Sequence, residues 1–276
     1  MTSPITVRID DRLRLAGAML AAGDWPNREQ AAKPYKPHRA AEHARKYFSA
    51  WAAHPAVTAV NGLVGNGEGL RALYGHALNG DWPGDLGLQM KEFASTAHLE
   101  NFWAETQADW VQAEADVAEV LQRADLAHFL AEMFGPLARA LVVTPNLLFP
   151  GLIPLVVQSV QERVLCAPPP KAWGASPPWR YNERPDEVLA AFSEAFAHSA
   201  LEATALKPQA GLWALAAAVL FLRQAEGDGA GDQFMLMEKR TRNLPQLPTA
   251  VLALETYLAQ RRAGGAAELA ALATSL

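Results

Sequence analysis

The segment ALVVTPNLLFPGLIPLVVQSVQERVLCAPPP (Ala140–Pro170) is where the texture of this chain changes. Three short runs rich in Val and Leu, Ala140–Thr144, Leu152–Val157 and Arg163–Ala167, are bounded by Pro and Gly. Branched side chains suit a pleated surface, and Pro cannot continue a ladder, so the spacing predicts a small sheet. Everything on either side of it has helical texture.

Toward the N-terminus, Leu13, Ala16, Met19 and Leu20 recur at helical spacing, and Gly23-Asp24-Trp25-Pro26 is read as the turn that ends them. Ala44, Tyr47, Phe48 and Trp51 form a second stripe, stopped at His54-Pro55. A third helix is predicted from Glu68 to Leu78, before a second Gly-Asp-Trp-Pro at 80–83. The flanks of the two tetrapeptides do not match, so they mark shared turn chemistry and not a repeat. One long helical stretch is predicted from Ala97 to Phe134, with Leu99, Phe102, Trp103, Thr106, Trp110 and Val117 on one face.

Toward the C-terminus, a proline-rich loop from Pro168 to Trp179 leads to Pro185-Asp186-Glu187. Proline in a first turn sacrifices no needed N–H, and acids there face the positive end of the helix dipole, so a helix opens at this point. Further helices follow, including Gly211–Gln224 and Pro248–Gln260. The expected fold is α+β, predominantly helical. It divides into a helical region over 1–135 and an α+β region over 136–276, packed as one continuous globule.

Composition narrows the function classes. With 276 residues and 50% hydrophobic content the chain can bury a substantial core. A net charge of -5 and dispersed basic residues give no electrostatic reason to bind nucleic acid. The longest apolar run, Leu212–Leu222, is shorter than the roughly 20 residues a bilayer span needs. Arg8, Asp10 and Asp11 interrupt any signal-like core, and the single Cys166 allows no internal disulfide. Cys166 follows an apolar run and is assigned to packing. A cytoplasmic location without membrane attachment is the resulting expectation.

Most candidate motifs fail on chemistry. Gly65-Asn66-Gly67-Glu68-Gly69 lacks the Lys-Ser/Thr of a phosphate loop and sets Glu68 where the anion would sit. His38, His43, His54, His76, His98 and His128 show no zinc-ligand spacing, and His54 and His76 are read as ordinary polar contacts. No serine has the Gly-x-Ser-x-Gly setting. One constellation remains. On a helix expected over Asp186–Leu206, Leu189, Phe192, Phe196 and Ala203 form an apolar face, while Glu194, His198 and Glu202 repeat every four residues on another. Carboxylate and imidazole are zinc ligands, and a spacing of four presents two of them together. The alternative is a solvated helix face.

The order of parts around that stripe resembles a bacterial family of gluzincin-type metallopeptidases. Tyr47-Phe48 through His54-Pro55-Ala56-Val57 looks like that family's N-terminal motif, and Leu141-Val142-Val143-Thr144-Pro145 like its strand. Phe196-Ala197-His198-Ser199 is similar to the second half of its zinc motif, and Met237-Glu238-Lys239-Arg240 through Leu258 to its tail. The resemblance implies a zincin-like fold, a small sheet followed by an active-site-like helix. It also sets Glu194 in place of the first zinc histidine and Ala195 in place of the general-base glutamate. The third ligand, a glutamate of the next helix, would fall near Gly211–Leu215, which has no carboxylate. A methyl group cannot take a proton from metal-bound water.

The expectation is therefore a non-catalytic, pseudo-peptidase scaffold that needs no cofactor and binds a peptide or protein. Glu194, His198 and Glu202 are its vestigial metal set, and Trp173, Trp179 and Tyr181 rim its cleft. Two alternatives stand beside it. One is a variant zinc hydrolase using Glu194 and His198 with an acid from Glu202, Glu226, Asp228 or Asp232. The other is a helical interaction protein unrelated to zincins.

Overall fold

Asp10 starts the first helix: its carboxylate accepts the backbone N–H of Arg12 (3.1 Å), a capping bond that satisfies one otherwise free donor. The structure is a computed structural model, and it describes residues 4–32, 38–65, 69–148, 154–170, 179–265 and 268–274. Helices α1 (Asp11–Ala22), α2 (Trp25–Ala32), α3 (Arg39–Phe48), α4 (Pro55–Leu63), α5 (Gly69–Asn79) and α6 (Leu86–Thr96) precede the long α7 (Leu99–Leu121) and α8 (Leu126–Phe134). Strands β1 (Thr6–Val7), β2 (Ala140–Pro145), β3 (Leu155–Gln158) and β4 (Glu162–Ala167) form one sheet in the order β1-β2-β4-β3. Helices α9 (Pro185–Leu201), α10 (Ala210–Glu226), α11 (Asp228–Thr241) and α12 (Leu247–Arg262) follow. The fold is α+β and predominantly helical, as the sequence indicates.

Two compact units share the chain. One comprises residues 7–118 and 142–183, the other 1–6, 119–141 and 184–276. The units are not contiguous stretches of the chain. The sheet segments belong with the N-terminal helices, and the chain leaves that unit within α7 and re-enters it within β2.

In the first unit the stripe of α1 is buried as its spacing predicts, with Leu13, Ala16, Met19 and Leu20 fully covered. α1 packs on α3, α4 and α5. Phe48 of α3 meets Phe102 of α7 and Phe93 of α6, at centroid separations of 4.8 and 6.0 Å. His38 and His54 cap α3 and α4 alike: each Nδ1 accepts the N–H two residues on, at 3.1 and 3.2 Å. His54-Pro55 therefore opens a helix as well as closing the stripe before it. His76 pairs with Asp81 at 3.0 Å. β3 and β4 pair antiparallel from Leu155 opposite Cys166 to Gln158 opposite Arg163. Ser159 Oγ takes the Glu162 N–H (3.0 Å) and so closes their connection. The Gly65–Gly69 motif lies mostly outside the described residues, and Gly69 begins α5.

The second unit centres on α10. The run Leu212–Leu222 is its interior helix, with Trp213 through Leu222 buried. α10 packs on α9, α11 and α12, and Phe221 meets Phe129 of α8 at 5.3 Å. Among the described residues no helix is long and apolar enough to cross a membrane.

Candidate functional site

α9 begins as its sequence predicts, with Pro185 in the first turn and Asp186 and Glu187 behind it. It ends at Leu201, not Leu206. Thr204 Oγ1 donates to the Leu201 carbonyl (2.8 Å) and accepts the Leu206 N–H (3.1 Å), so a hydroxyl takes over a bond the next turn would have made. Phe192 and Phe196 are buried, while Glu194 and His198 stay partly open, at 22% and 39% side-chain exposure. The two faces point apart as the spacing of four requires.

The polar face is held by ion pairs. Glu194 accepts two parallel bonds from Arg242, at 2.6 and 3.0 Å, and Arg242 also pairs with Glu238 one turn earlier on α11. Burial pulls the Arg242 pKa down, but the two carboxylates more than offset it, and the guanidinium stays charged. His198 Nδ1 stands 3.8 Å from Glu202 Oε1, too long for a good hydrogen bond. Two of the acids that could substitute for a third ligand are engaged elsewhere. Glu226 pairs with Arg123 and Asp232 with Arg223. Among the described residues no three His, Cys, Asp or Glu side chains come together as a metal site. The zinc that the family resemblance implies therefore does not fit: Glu194, His198 and Glu202 form no three-ligand group, and Glu194 is held by Arg242.

The three aromatic residues expected at a cleft rim fall in different settings. Trp173 lies outside the described residues, and Trp179 and Tyr181 belong to the first unit, whereas Glu194 and His198 belong to the second. Tyr181 is buried, and its hydroxyl donates to the Ala167 carbonyl at 2.7 Å, so its ring offers no stacking surface. Burial pushes the phenol pKa well up, which fixes it as a donor. Tyr181→Phe is expected to cost about 1 kcal/mol in a denaturant titration, the net worth of one hydrogen bond. Cys166 is buried, and desolvation raises its thiol pKa far above the reactive range, as its packing assignment requires.

The second unit holds a cleft that the sequence does not announce. About 490 Å³ of space opens beside the C-terminal half of α10, floored by Phe129, Leu220 and Leu258. Its walls carry both signs of charge, Arg223 and Arg262 beside Glu132, Asp228 and Glu255, with the His128 imidazole among them. Arg262 grips Glu132 with bonds of 3.0 and 2.7 Å. That hydrogen-bonded guanidinium, against a smaller opposing effect of burial, holds the Glu132 carboxyl below its usual pKa. Arg223 is shared between Asp232 of α11 (2.6 Å) and Glu255 of α12 (3.6 Å). The cleft lining thus mixes apolar side chains with two clamped cations, which suits an apolar group flanked by charged or polar neighbours. Its sequence signals are local: His128 and Glu132 are four apart, and Glu255, Leu258 and Arg262 repeat along one face of α12.

No family model, curated protein or solved structure matches this chain.

Proposed function

We propose that this protein is a non-catalytic binding protein on a degenerate zincin-like plan, with ion pairs where a metal centre would stand. The observation that carries the proposal is the Arg242 fork on Glu194. A carboxylate held by two charge-assisted bonds is neither a free zinc ligand nor a base, and Ala195 beside it has no proton-accepting group. The ligand is assigned to the charged-rim cleft of the second unit and is a peptide or protein segment with an apolar side chain between charged ones. A second reading has an observation of its own. Within its unit α9 lies against α10 and α8, as in a helical bundle, and this favours a helical interaction protein without zincin ancestry.

The test is metal binding. The natural protein is expected to hold well under one zinc per chain after purification without chelator, and zinc is expected to leave its melting temperature unchanged. The variant Glu194→His/Ala195→Glu/Gly211→Glu restores three ligands and the base. An added side chain at Gly211 meets open space, so the change there is tolerated sterically. Zinc at a hundredfold excess over Kd should then stabilise that variant by about 2.7 kcal/mol, because only the folded state binds it. One zinc per natural chain would overturn the non-catalytic reading. A folded variant that ignores zinc would overturn the zincin plan and leave the helical interaction protein.

A further inference from the structure

We propose that α11 and the outer face of α12 form a two-fold contact with a second copy of this chain. The inference does not depend on the zincin reading.

A helix of 14 residues in a folded protein ordinarily buries an apolar stripe. In α11 only Gly231 is buried, while Leu236 and Met237 are 59% and 50% exposed. On α12, Leu252 is 64% exposed. The exposure does not come from a loosely attached helix. Gly231 lies so close to α10 that an added Cβ would stand 2.8 Å from the Val219 carbonyl. Arg223 and Arg242 also tie α11 to its neighbours at both ends.

Exposed leucines stand on both helices. Arg223 reaches Asp232 of α11 and Glu255 of α12 together, which sets those residues level. The two helices are joined by the short segment 242–246. One turn onward in α11 is Leu236, and one turn back in α12 is Leu252. Each helix therefore carries an exposed leucine about one turn from the acid that Arg223 holds.

Charge order selects the occupant. α11 carries Asp228 and Asp232 near its start and Lys239 and Arg240 near its end. Of these, Asp228, Lys239 and Arg240 enter no ion pair among the described residues. Twelve residues separate Asp228 from Arg240, about 18 Å along the axis. A second α11 laid antiparallel sets each acidic start against the other's basic end, with the Leu236 and Leu252 patches meeting near the axis. A surface complementary to itself under a two-fold rotation is the signature of an isologous dimer. The face along α11 is about 21 Å long, at the small end of specific interfaces, so a weak, concentration-dependent dimer is expected.

Sedimentation of the full chain from about 1 to 200 µM tests this, and the expected result is a monomer–dimer equilibrium within that range. Leu236→Asp/Leu252→Asp should be monomeric throughout, with unchanged circular dichroism and melting temperature. Arg240→Asp alone should weaken the dimer at least tenfold, and Asp228→Lys combined with it should restore association. A natural protein that stays monomeric over the whole range overturns the proposal. So does a dimer indifferent to the leucine pair, or an Arg240→Asp defect that Asp228→Lys does not rescue.

Discussion

Arg180→Met should lower the unfolding free energy by about 3 kcal/mol, the low end of what breaking a buried ion pair costs. The partner left behind is Asp116 of α7, whose side chain is only 3% exposed. Arg180 grips it with two parallel bonds, one of 2.9 Å through Nε, and Gln112 donates a third at 2.7 Å. Methionine keeps the length of the side chain and removes the charge, so Asp116 retains only the Gln112 amide against its desolvation. That remaining bond, and the half-exposed position of Arg180, keep the cost from the upper end of the range. Removing both charges with Asp116→Leu/Arg180→Met should recover most of the loss and come within about 1 kcal/mol of the natural protein. The measurement is a urea titration of all three proteins. A single variant within about 0.5 kcal/mol of the parent would mean that Asp116 finds solvent once Arg180 is gone.

The anchoring role of that pair shows where sequence reading stopped. β2 and β4 were legible because branched residues between Pro and Gly have few alternatives, and both fall within a residue of their expected bounds, whereas the two-residue β1 was not read. The face of α7 was legible for the same kind of reason, its buried Phe102, Trp110 and Val117 following a period of 3.6. The break between α7 and α8 was not. No Gly or Pro marks residues 122–125, and the signal is Asp125, whose carboxylate accepts the His128 N–H at 2.8 Å. Trp25-Pro26, read as a turn, starts α2, because proline suits a first helical turn as well as it suits a turn.

The candidate site divides the same way. The outward stripe Glu194, His198, Glu202 follows from a spacing of four. That Glu194 is taken by Arg242, 48 residues on, has no local signature. The cleft draws its walls from positions 128 to 262 and needed the packing of α8, α10 and α12 to appear.

Acid should destabilise this protein through His38 well before ordinary carboxylates titrate. Burial lowers the His38 pKa from 6.5 to about 4, opposed by Asp109 and assisted by Arg39, which are themselves paired. The geometry explains why the neutral form is required. His38 Nδ1 accepts the Ala40 N–H at the start of α3, and a proton on that nitrogen would set donor against donor. In the unfolded chain His38 takes up its proton near the ordinary value, while the folded protein resists it down to about 4. Between those values the unfolded state binds more protons, so stability falls as pH falls, by about 1.4 kcal/mol per pH unit. Across the whole window the loss is on the order of 3 kcal/mol, and below pH 4 the slope from this residue vanishes. His38→Asn isolates the effect, since an asparagine oxygen caps a helix equally well and does not titrate. Urea titrations of both proteins at steps from pH 7 to pH 4 should show the variant holding its stability while the natural protein loses it. Parallel curves would mean that the Ala40 N–H does not depend on a neutral imidazole, and the capping role of His38 would fall with that result.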